Sequence, residues 1–426
     1  MSTDLISLLG AAAMAIADGI SIIRDSQIHP LTIQNSIQDP NLAGYLNTWQ
    51  PTSYRQSKSF PAFMYTSEEV YQLERSLFFG KTWIYVGHIS QLNGANSYFT
   101  TSIAEMPLLI VMDRQGILRA FHNVCPHRAA PVAVGSGQCN RFICPYHAWT
   151  FDLEGNLRGV PNFEAYEDFH AAEHNLNAVH VDRWGPFIFV NAAAECEPLA
   201  AQLNELPDLF NAYRLDEWKR VHSMDYYTDT NWKLYVENNA ENYHEPIVHK
   251  SSYSTNEVSW NNSYDLIQCE ARHYYYLQHT PHPTSSSEQA SGDAAIAHGF
   301  KPELIQSDLP EHLMAGSSIM SFWPNFAWIA CPESIIVYTI DPQGAGRTRI
   351  RWEWLVPNTE AAQAPENLER LISLYDRVQQ EDMDLLPLVQ KGVASPGYVA
   401  GPFSPSREVG VHRFQELLME HLSGRR

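Results

Sequence analysis

Apolar and polar positions change period several times along the chain. From Ser67-Glu68-Glu69, where Ser67 suits an N-cap, Val70, Leu73, Leu77 and Phe78 recur at helical spacing. Between Trp83 and about Val190 the apolar runs shorten: Leu108-Leu109-Ile110-Val111-Met112, Phe142-Ile143-Cys144 and Phe187-Ile188-Phe189-Val190 read as strands. Asp113-Arg114-Gln115-Gly116 and Leu153-Glu154-Gly155-Asn156 read as the turns between them. Beyond about residue 200 the pattern is mixed. A helical region is expected at about 230–250, strands at Phe326–Ala330, Ile335–Ile340 and Thr348–Leu355, and a long helix from Pro365 to about Gln390. Residues about 25–60, rich in Pro, Ser, Gln and Asn, read as an extended arm, and Pro281–Ala295 as a flexible loop.

Strands and helices are segregated rather than alternating, and no Gly-rich dinucleotide fingerprint or solenoid repeat appears, so the fold class expected is α+β. The expected division is 1–60, an N-terminal helix and arm; 61–195, an antiparallel β domain with its leading helix; and 196–426, a mixed domain. The apolar run Leu5–Ile23 lacks a basic leader, is broken by Asp18 and barely reaches spanning length, so a packed amphipathic helix is expected there.

A chain of 426 residues is too long for one small carrier domain, and 44% apolar residues suffice for substantial cores. Its formal charge of −20 argues against nucleic acid or an anionic membrane as partner, and suits plain solvation or the docking of a basic protein. Of six cysteines, Cys139, Cys196, Cys269 and Cys331 show no pairing pattern; buried free thiols, and hence a reducing cytoplasm, are expected.

The remaining two cysteines carry the strongest chemical signal. Cys125-Pro126-His127 is followed, after sixteen intervening residues, by Cys144-Pro145-Tyr146-His147. Two short loops each offer one thiolate and one imidazole, a Cys₂His₂ set that suits a [2Fe–2S] cluster with two cysteines on one iron and two histidines on the other. Structural zinc uses the same ligand types, but its knuckles usually carry one type each, whereas here the types alternate within each loop.

A second set lies downstream. His244 and His249 are five residues apart, roughly 140° around a regular helix and too wide to meet at one metal. Pro246 lies between them and breaks that geometry. The spacing also rejects the zinc-protease pattern, which needs histidines at i and i+4. In the C-terminal helix Asp382 falls within about 60° of the apolar stripe Leu371, Tyr375, Val378, Leu385, Leu386 and Val389. A carboxylate there is costly without a partner, whether salt bridge, N–H group or cation. Glu381, on the flank, and Asp384, pointing away, are expected to be solvated. His244, His249 and Asp382 together would make a two-histidine, one-carboxylate facial triad with open positions for iron(II).

The segments Asn123-Val124-Cys125-Pro126-His127-Arg128 and Cys144-Pro145-Tyr146-His147-Ala148-Trp149-Thr150-Phe151-Asp152 resemble the paired signatures of the Rieske oxygenase family, except that Ala129 stands where Gly is common. Asn231-Trp232-Lys233, Glu237-Asn238, Glu241-x-x-His244-x₄-His249, Glu381-Asp382 and Gln390-Lys391-Gly392 are similar to the catalytic domain of Rieske non-haem iron oxygenase α subunits. The resemblance spans roughly residues 60–420. It implies a Rieske [2Fe–2S] domain joined to a helix-grip antiparallel catalytic domain, in a homotrimer. It also implies O₂ as co-substrate and electrons drawn from NAD(P)H through a separate reductase, with or without a ferredoxin. Glu241 would then link His244 to His147 of a neighbouring subunit; the alternative is an exposed glutamate, and Glu237 on the same face could share its role.

The expected function is mono- or dioxygenation of a small organic molecule. Glu241, where many ring-hydroxylating members of the family carry Asp, and Trp323-Pro324-Asn325-Phe326 look more like the choline, carnitine and betaine oxygenases, which hydroxylate beside nitrogen and commonly end in N-dealkylation. Tyr274, Tyr276, Trp323 and Trp328 are candidates for a cation–π cage. Arene or alkaloid hydroxylation, a catalytically silent relative, a bare electron carrier and a zinc-stabilised binding module are the alternatives. Asp382 and His249 count against the last two.

Overall fold

Ser67 opens the first helix of the main body, its Oγ accepting from the Val70 N–H at 3.4 Å. After α1 (Pro40–Thr48), α2 (Glu68–Leu73) runs into a π-helical turn at Glu74–Phe79, and Val70, Leu73, Leu77 and Phe78 are all buried as their spacing requires. The computed structural model describes residues 37–164, 166–252, 265–267, 274–281, 304, 306, 308–314 and 316–425. The apolar run at 5–23, Cys269 and all but the first residue of the expected loop from Pro281 lie outside these.

Two seven-stranded antiparallel sheets form the body. The first contains β1 (Ile84–His88), β2 (Ser97–Ile103), β3 (Met106–Met112), β4 (Leu118–His122) and β5 (Ser136–Gln138), with β9 (Ala178–Trp184) and β10 (Phe187–Asn191). Its order is β1-β10-β9-β4-β3-β2-β5. Beside it β6 (Phe142–Ile143), β7 (Thr150–Phe151) and β8 (Leu157–Gly159) make a three-stranded sheet. The second large sheet runs β11 (Lys219–Thr228), β17 (Thr348–Val356), β16 (Ile335–Pro342), β15 (Phe326–Ala330), β14 (Gly316–Phe322), β13 (Tyr275–Pro281) and β12 (Asp265–Ile267). The four helices that matter for the site are α3 (Trp232–Asn239), α4 (Glu245–Val248), α5 (Pro365–Val393) and α6 (Val409–Leu422). The class is α+β, as expected.

Strand β16 is buried along its whole length because both its faces are covered. Alternation sends Ile335 and Val337 into one core and Ile336, Tyr338 and Ile340 into another. The first core includes Tyr85, Phe187 and Phe189 from the other sheet; Tyr85 and Phe326 have ring centroids 4.8 Å apart. The second includes Trp232 and Val236 of α3 and Phe414 of α6. Asn325 joins the two sheets by its side chain, its Oδ1 accepting from Tyr85 N–H at 2.9 Å and its Nδ2 donating to Tyr85 O at 2.8 Å.

Three expectations change. Within the arm expected to be extended, Pro40–Thr48 forms the helix α1, whose cap Asp39 accepts from Asn41 N–H. The helical region at 230–250 is two helices, α3 ending at Asn239 and the one-turn α4 starting at Glu245. The chain leaves the helix well before Pro246, which instead occupies the first turn of α4, where its missing N–H costs nothing. β11 was not anticipated, since Lys219–Thr228 is polar and mostly half-exposed along the sheet edge.

Candidate metal centres

The two Cys–His loops are built alike. In the first, Cys125 N–H donates to Ala130 O at 2.8 Å and Ala129 N–H to Cys125 O at 2.9 Å; in the second, Cys144 N–H donates to Trp149 O at 2.8 Å and Ala148 N–H to Cys144 O at 3.0 Å. Ala129 and Ala148, each four residues after its cysteine, both adopt left-handed backbone, with φ of 60° and 59°. That conformation strains a side-chain-bearing residue and explains why glycine suits position 129. The histidines stand at i+2 and i+3 of these turns, and their ring centroids lie 4.6 Å apart. His127 stacks on Trp149 at 4.8 Å with planes 4° apart; His147 stacks on Tyr146, whose other ring contact is Arg128. Asn123 fastens the exit of the first loop by accepting from Val132 and Ala133 N–H and donating to Ala133 O.

This set fits a [2Fe–2S] cluster. Cys125 and Cys144 are buried free thiols beside one another, and burial together with Cys144 pushes the Cys125 thiol up to about 11. Two adjacent thiolates are therefore stable only with cations between them. The Nδ1 of His147 is buried and has no hydrogen-bond partner among the described residues, which a ligating nitrogen would not need. Among the other described cysteines, Cys331 is buried as expected, whereas Cys139 and Cys196 are half-buried.

The second set forms where α3, α4 and α5 meet. Asn231 caps α3, accepting from Lys233 N–H, and its own N–H donates to Gln390 Oε1 at 2.8 Å, which ties the start of α3 to the end of α5. Trp232 and Lys233 both reach back to the buried carboxylate of Glu74, in the π-helical turn. Gly410, at the start of α6, lets that helix lie against the loop after α3; a side chain there would collide with the Ala240 carbonyl oxygen and Tyr276. His244 and His249 stand at the two ends of α4, as its N-cap and C-cap residues, and one helical turn carries them to the same side.

The candidate ligand atoms of His244, His249 and Asp382 all lie within 4.8 Å of one another. Asp382 Oδ1 is 3.6 Å from His244 Nε2 and 3.5 Å from His249 Nε2. Behind each ring a glutamate holds the other nitrogen: Glu241 Oε1 lies 2.6 Å from His244 Nδ1, and Glu381 Oε2 3.0 Å from His249 Nδ1. Carboxylates there fix the tautomer and aim both Nε2 atoms at Asp382. Glu241 also accepts from the backbone N–H groups of Tyr243 and His244. Asn238, at the end of α3, donates to Asp382 Oδ1 at 3.4 Å.

The electrostatics favour a cation. Burial opposes protonation of His244, yet the Glu241 hydrogen bond and the charges of Glu241 and Asp382 hold its pKa up at about 9. Burial pushes Asp382 upward against the pull of His249 and His244, and burial with neighbouring carboxylates lifts Glu245 to about 8. A divalent ion would relieve this crowding of carboxylates better than a proton. Glu381 corrects an expectation: it is not simply solvated, since Ser251, Ser252 and His249 bind its carboxylate and, against burial, hold its pKa down.

The candidate aromatic cage does not form as a unit. Trp328 lies in the core on the far face of the second sheet, 4.6 Å from Phe210 and 5.0 Å from Trp184, because alternation along β15 points it away from α3. Trp323 packs on Phe414 and Tyr274 on His421. Tyr276, beside Ala240 and Gly410, stands on the face that carries the helices.

Comparison with known proteins covers both sites. Residues 82–173 match the family described as "Rieske [2Fe-2S] domain", and residues 215–424 the one described as "Ring hydroxylating alpha subunit (catalytic domain)". The oxygenase subunit of glycine betaine monooxygenase from Chromohalobacter salexigens is 26% identical, over 90% of this chain and 90% of that protein. That of carnitine monooxygenase from Acinetobacter pittii is 28% identical, over 85% of this chain and 94% of that protein. A crystal structure of a quaternary ammonium Rieske monooxygenase in complex with L-carnitine aligns with a TM-score of 0.71 at 25% identity, over 88% of this chain and 99% of that one.

Proposed function

We propose, for a chain that belongs to the Rieske non-haem iron oxygenases, that it is an oxygenase component hydroxylating a quaternary ammonium compound beside nitrogen, with N-dealkylation following. The convergence of His244 and His249 Nε2 on Asp382, with a glutamate behind each ring, carries the reading. The two similar proteins named for glycine betaine and carnitine support the substrate class.

In this reading His244, His249 and Asp382 hold one iron, and Cys125, Cys144, His127 and His147 hold the cluster. When bound, the mononuclear iron supplies the redox chemistry that activates O₂. The residues supply position: Glu241 and Glu381 lock the two imidazoles, Asn238 steadies Asp382, and Trp149 and Tyr146 brace the cluster histidines. A separate reductase, with or without a ferredoxin, delivers electrons drawn from NAD(P)H. A homotrimer would bring the cluster of one copy to the iron of the next. Exposed apolar side chains beside both centres suit such a contact: Ile143 and Tyr146 near the cluster, Tyr243 and Ile247 near the iron site. Glu241 would then join His244 to His147 of the adjoining copy. Its carboxylate makes three contacts within its own chain, leaving room for one more. Of the described helices, none is long and apolar enough to cross a membrane. The described cysteines are all unpaired, which suits a reducing, cytoplasmic location.

O₂ uptake with a surrogate reductase, measured against methylated amines and aromatic acids, tests the proposal. Uptake with a betaine-like substrate, and its loss in His244→Ala with the cluster spectrum intact, is the expected result. Turnover of arenes alone would transfer the chain to the arene hydroxylases, and full activity in His244→Ala would remove the triad from the mechanism.

A further inference from the structure

One half-buried carboxylate near the iron site has no part in the arrangement above. Glu237 lies on α3, four residues before Glu241. Tyr65 O–H donates to it, 3.0 Å from each carboxylate oxygen, and Gln415 Nε2 donates to Oε1 at 2.8 Å. Gln415 belongs to α6, and it also lines a cavity of about 620 Å³ between α1 and α6, with Tyr45, Trp49, Ser59, Phe60 and His412 among its walls. The Gln415 side chain thus touches both a space large enough for many waters and the half-buried acid. Glu408, at the start of α6, is near enough for its charge to act on both Glu237, on α3, and Glu241, just beyond it.

We propose that Glu237 is a proton relay for the mononuclear site, loaded from water in the cavity beyond Gln415 and discharged past Glu408 toward Glu241. This rests on the oxygenase reading. Monooxygenation consumes protons: R–H + O₂ + 2 e⁻ + 2 H⁺ gives R–OH + H₂O, the electrons coming from the reductase through the cluster. At Glu237 the carboxylic O–H bond breaks and the proton passes toward the mononuclear site, as one of the two consumed there in forming R–OH and H₂O. The carboxylate that remains is held by Tyr65 O–H and Gln415 N–H until a proton from the cavity restores the acid. The balance of its surroundings suits an acid that both gives and takes. Burial raises its pKa; the hydrogen bonds from Gln415 and Tyr65 and the charge of Lys233 on its own helix lower it; Glu408 raises it again, leaving it at about 7. Tyr398, from the segment before α6, is the other titratable group that senses Glu237.

Two measurements on the assembled holoenzyme test the relay. Infrared difference spectra of wild type against Glu237→Gln should show a carboxylic-acid band that titrates near neutrality, and this needs no turnover. In single turnover of the pre-reduced enzyme with substrate and O₂, Glu237→Gln should keep both iron centres and substrate affinity. It should slow product formation about tenfold or more, enlarge the solvent deuterium effect and flatten the pH profile near neutrality. Glu237→Asp should restore part of the rate. A missing acid band, or Glu237→Gln turning over with the wild-type rate and pH profile, overturns the relay. So does a rate lost only together with the mononuclear iron, which would make Glu237 a support of the helix. Wild-type enzyme that forms no product with any substrate tried would count against the oxygenase reading itself, whatever the infrared band shows.

Discussion

Glu381 and His249 meet across 3.0 Å, carboxylate to Nδ1, while the next residue on the same helix, Asp382, faces the other nitrogen of that ring at 3.5 Å. Two consecutive residues of α5 clasp one imidazole from behind and in front. About 100° separates neighbouring side chains on a helix, and a ring lying between them can be touched by both.

Glu381→Gln should therefore act on metal affinity rather than on the fold. A neutral amide holds the ring more weakly and leaves Nε2 less basic. We expect mononuclear iron to bind about 10–100-fold more weakly, with the cluster spectrum unchanged. Competition with a chelator, followed by iron analysis, measures it.

The left-handed alanines give an opposite pair of outcomes. Ala129→Gly and Ala148→Gly should each raise stability by about 0.5–1 kcal/mol, since relief of the left-handed strain outweighs glycine's extra entropy in the unfolded chain. Ala129→Val should distort the turn that presents Cys125 and His127 and lower cluster content. Thermal melts together with visible absorbance would separate the two effects.

Trp328 separates core from substrate pocket. Because it sits among Phe210, Trp184 and Phe326, Trp328→Phe should cost about 1–3 kcal/mol in stability. KM should stay at the wild-type value. A large rise in KM with unchanged stability would return Trp328 to the substrate.

Glu237 should make the protein less stable in neutral and alkaline solution. Its pKa is about 7 when folded against an ordinary 4.5. Below about pH 4.5 it is protonated in both states and contributes nothing. As pH rises the unfolded chain ionises first and unfolding gains, until above about pH 7 the cost levels off at about 3 kcal/mol or less. Glu237→Gln should then melt higher than wild type at pH 8, and the gap should close toward pH 4.5. Paired denaturation curves across that range would show it.

What the chain reveals by inspection depends on how local the cause is. Cys125, His127, Cys144 and His147 are legible because each pair sits within one turn, and the turn is written in four residues. Asp382 is legible because a carboxylate in an apolar stripe needs a partner. Glu381 was hidden: its angle on the helix is that of a flank residue, and the ring that draws it in comes from 132 positions earlier. The side on which Trp328 falls depends on strand register across β14, β15 and β16, which no local pattern fixes. Proline is the visible breaker, so the sequence puts the helix break at Pro246, between His244 and His249. The structure ends α3 at Asn239, and Ala240 closes it through backbone bonds to Val236 and Glu237.

The amide stitch from Asn325 to the backbone of Tyr85 has a consequence for how this protein can be taken apart. The same strand that receives it also lends Tyr85 to the aromatic core shared with Phe326. Cut away from its companion, the Cys–His half would show Tyr85, Phe187 and Phe189 to water as a sticky open face. It is not a detachable plug that could be excised and reused as a free-standing shuttle.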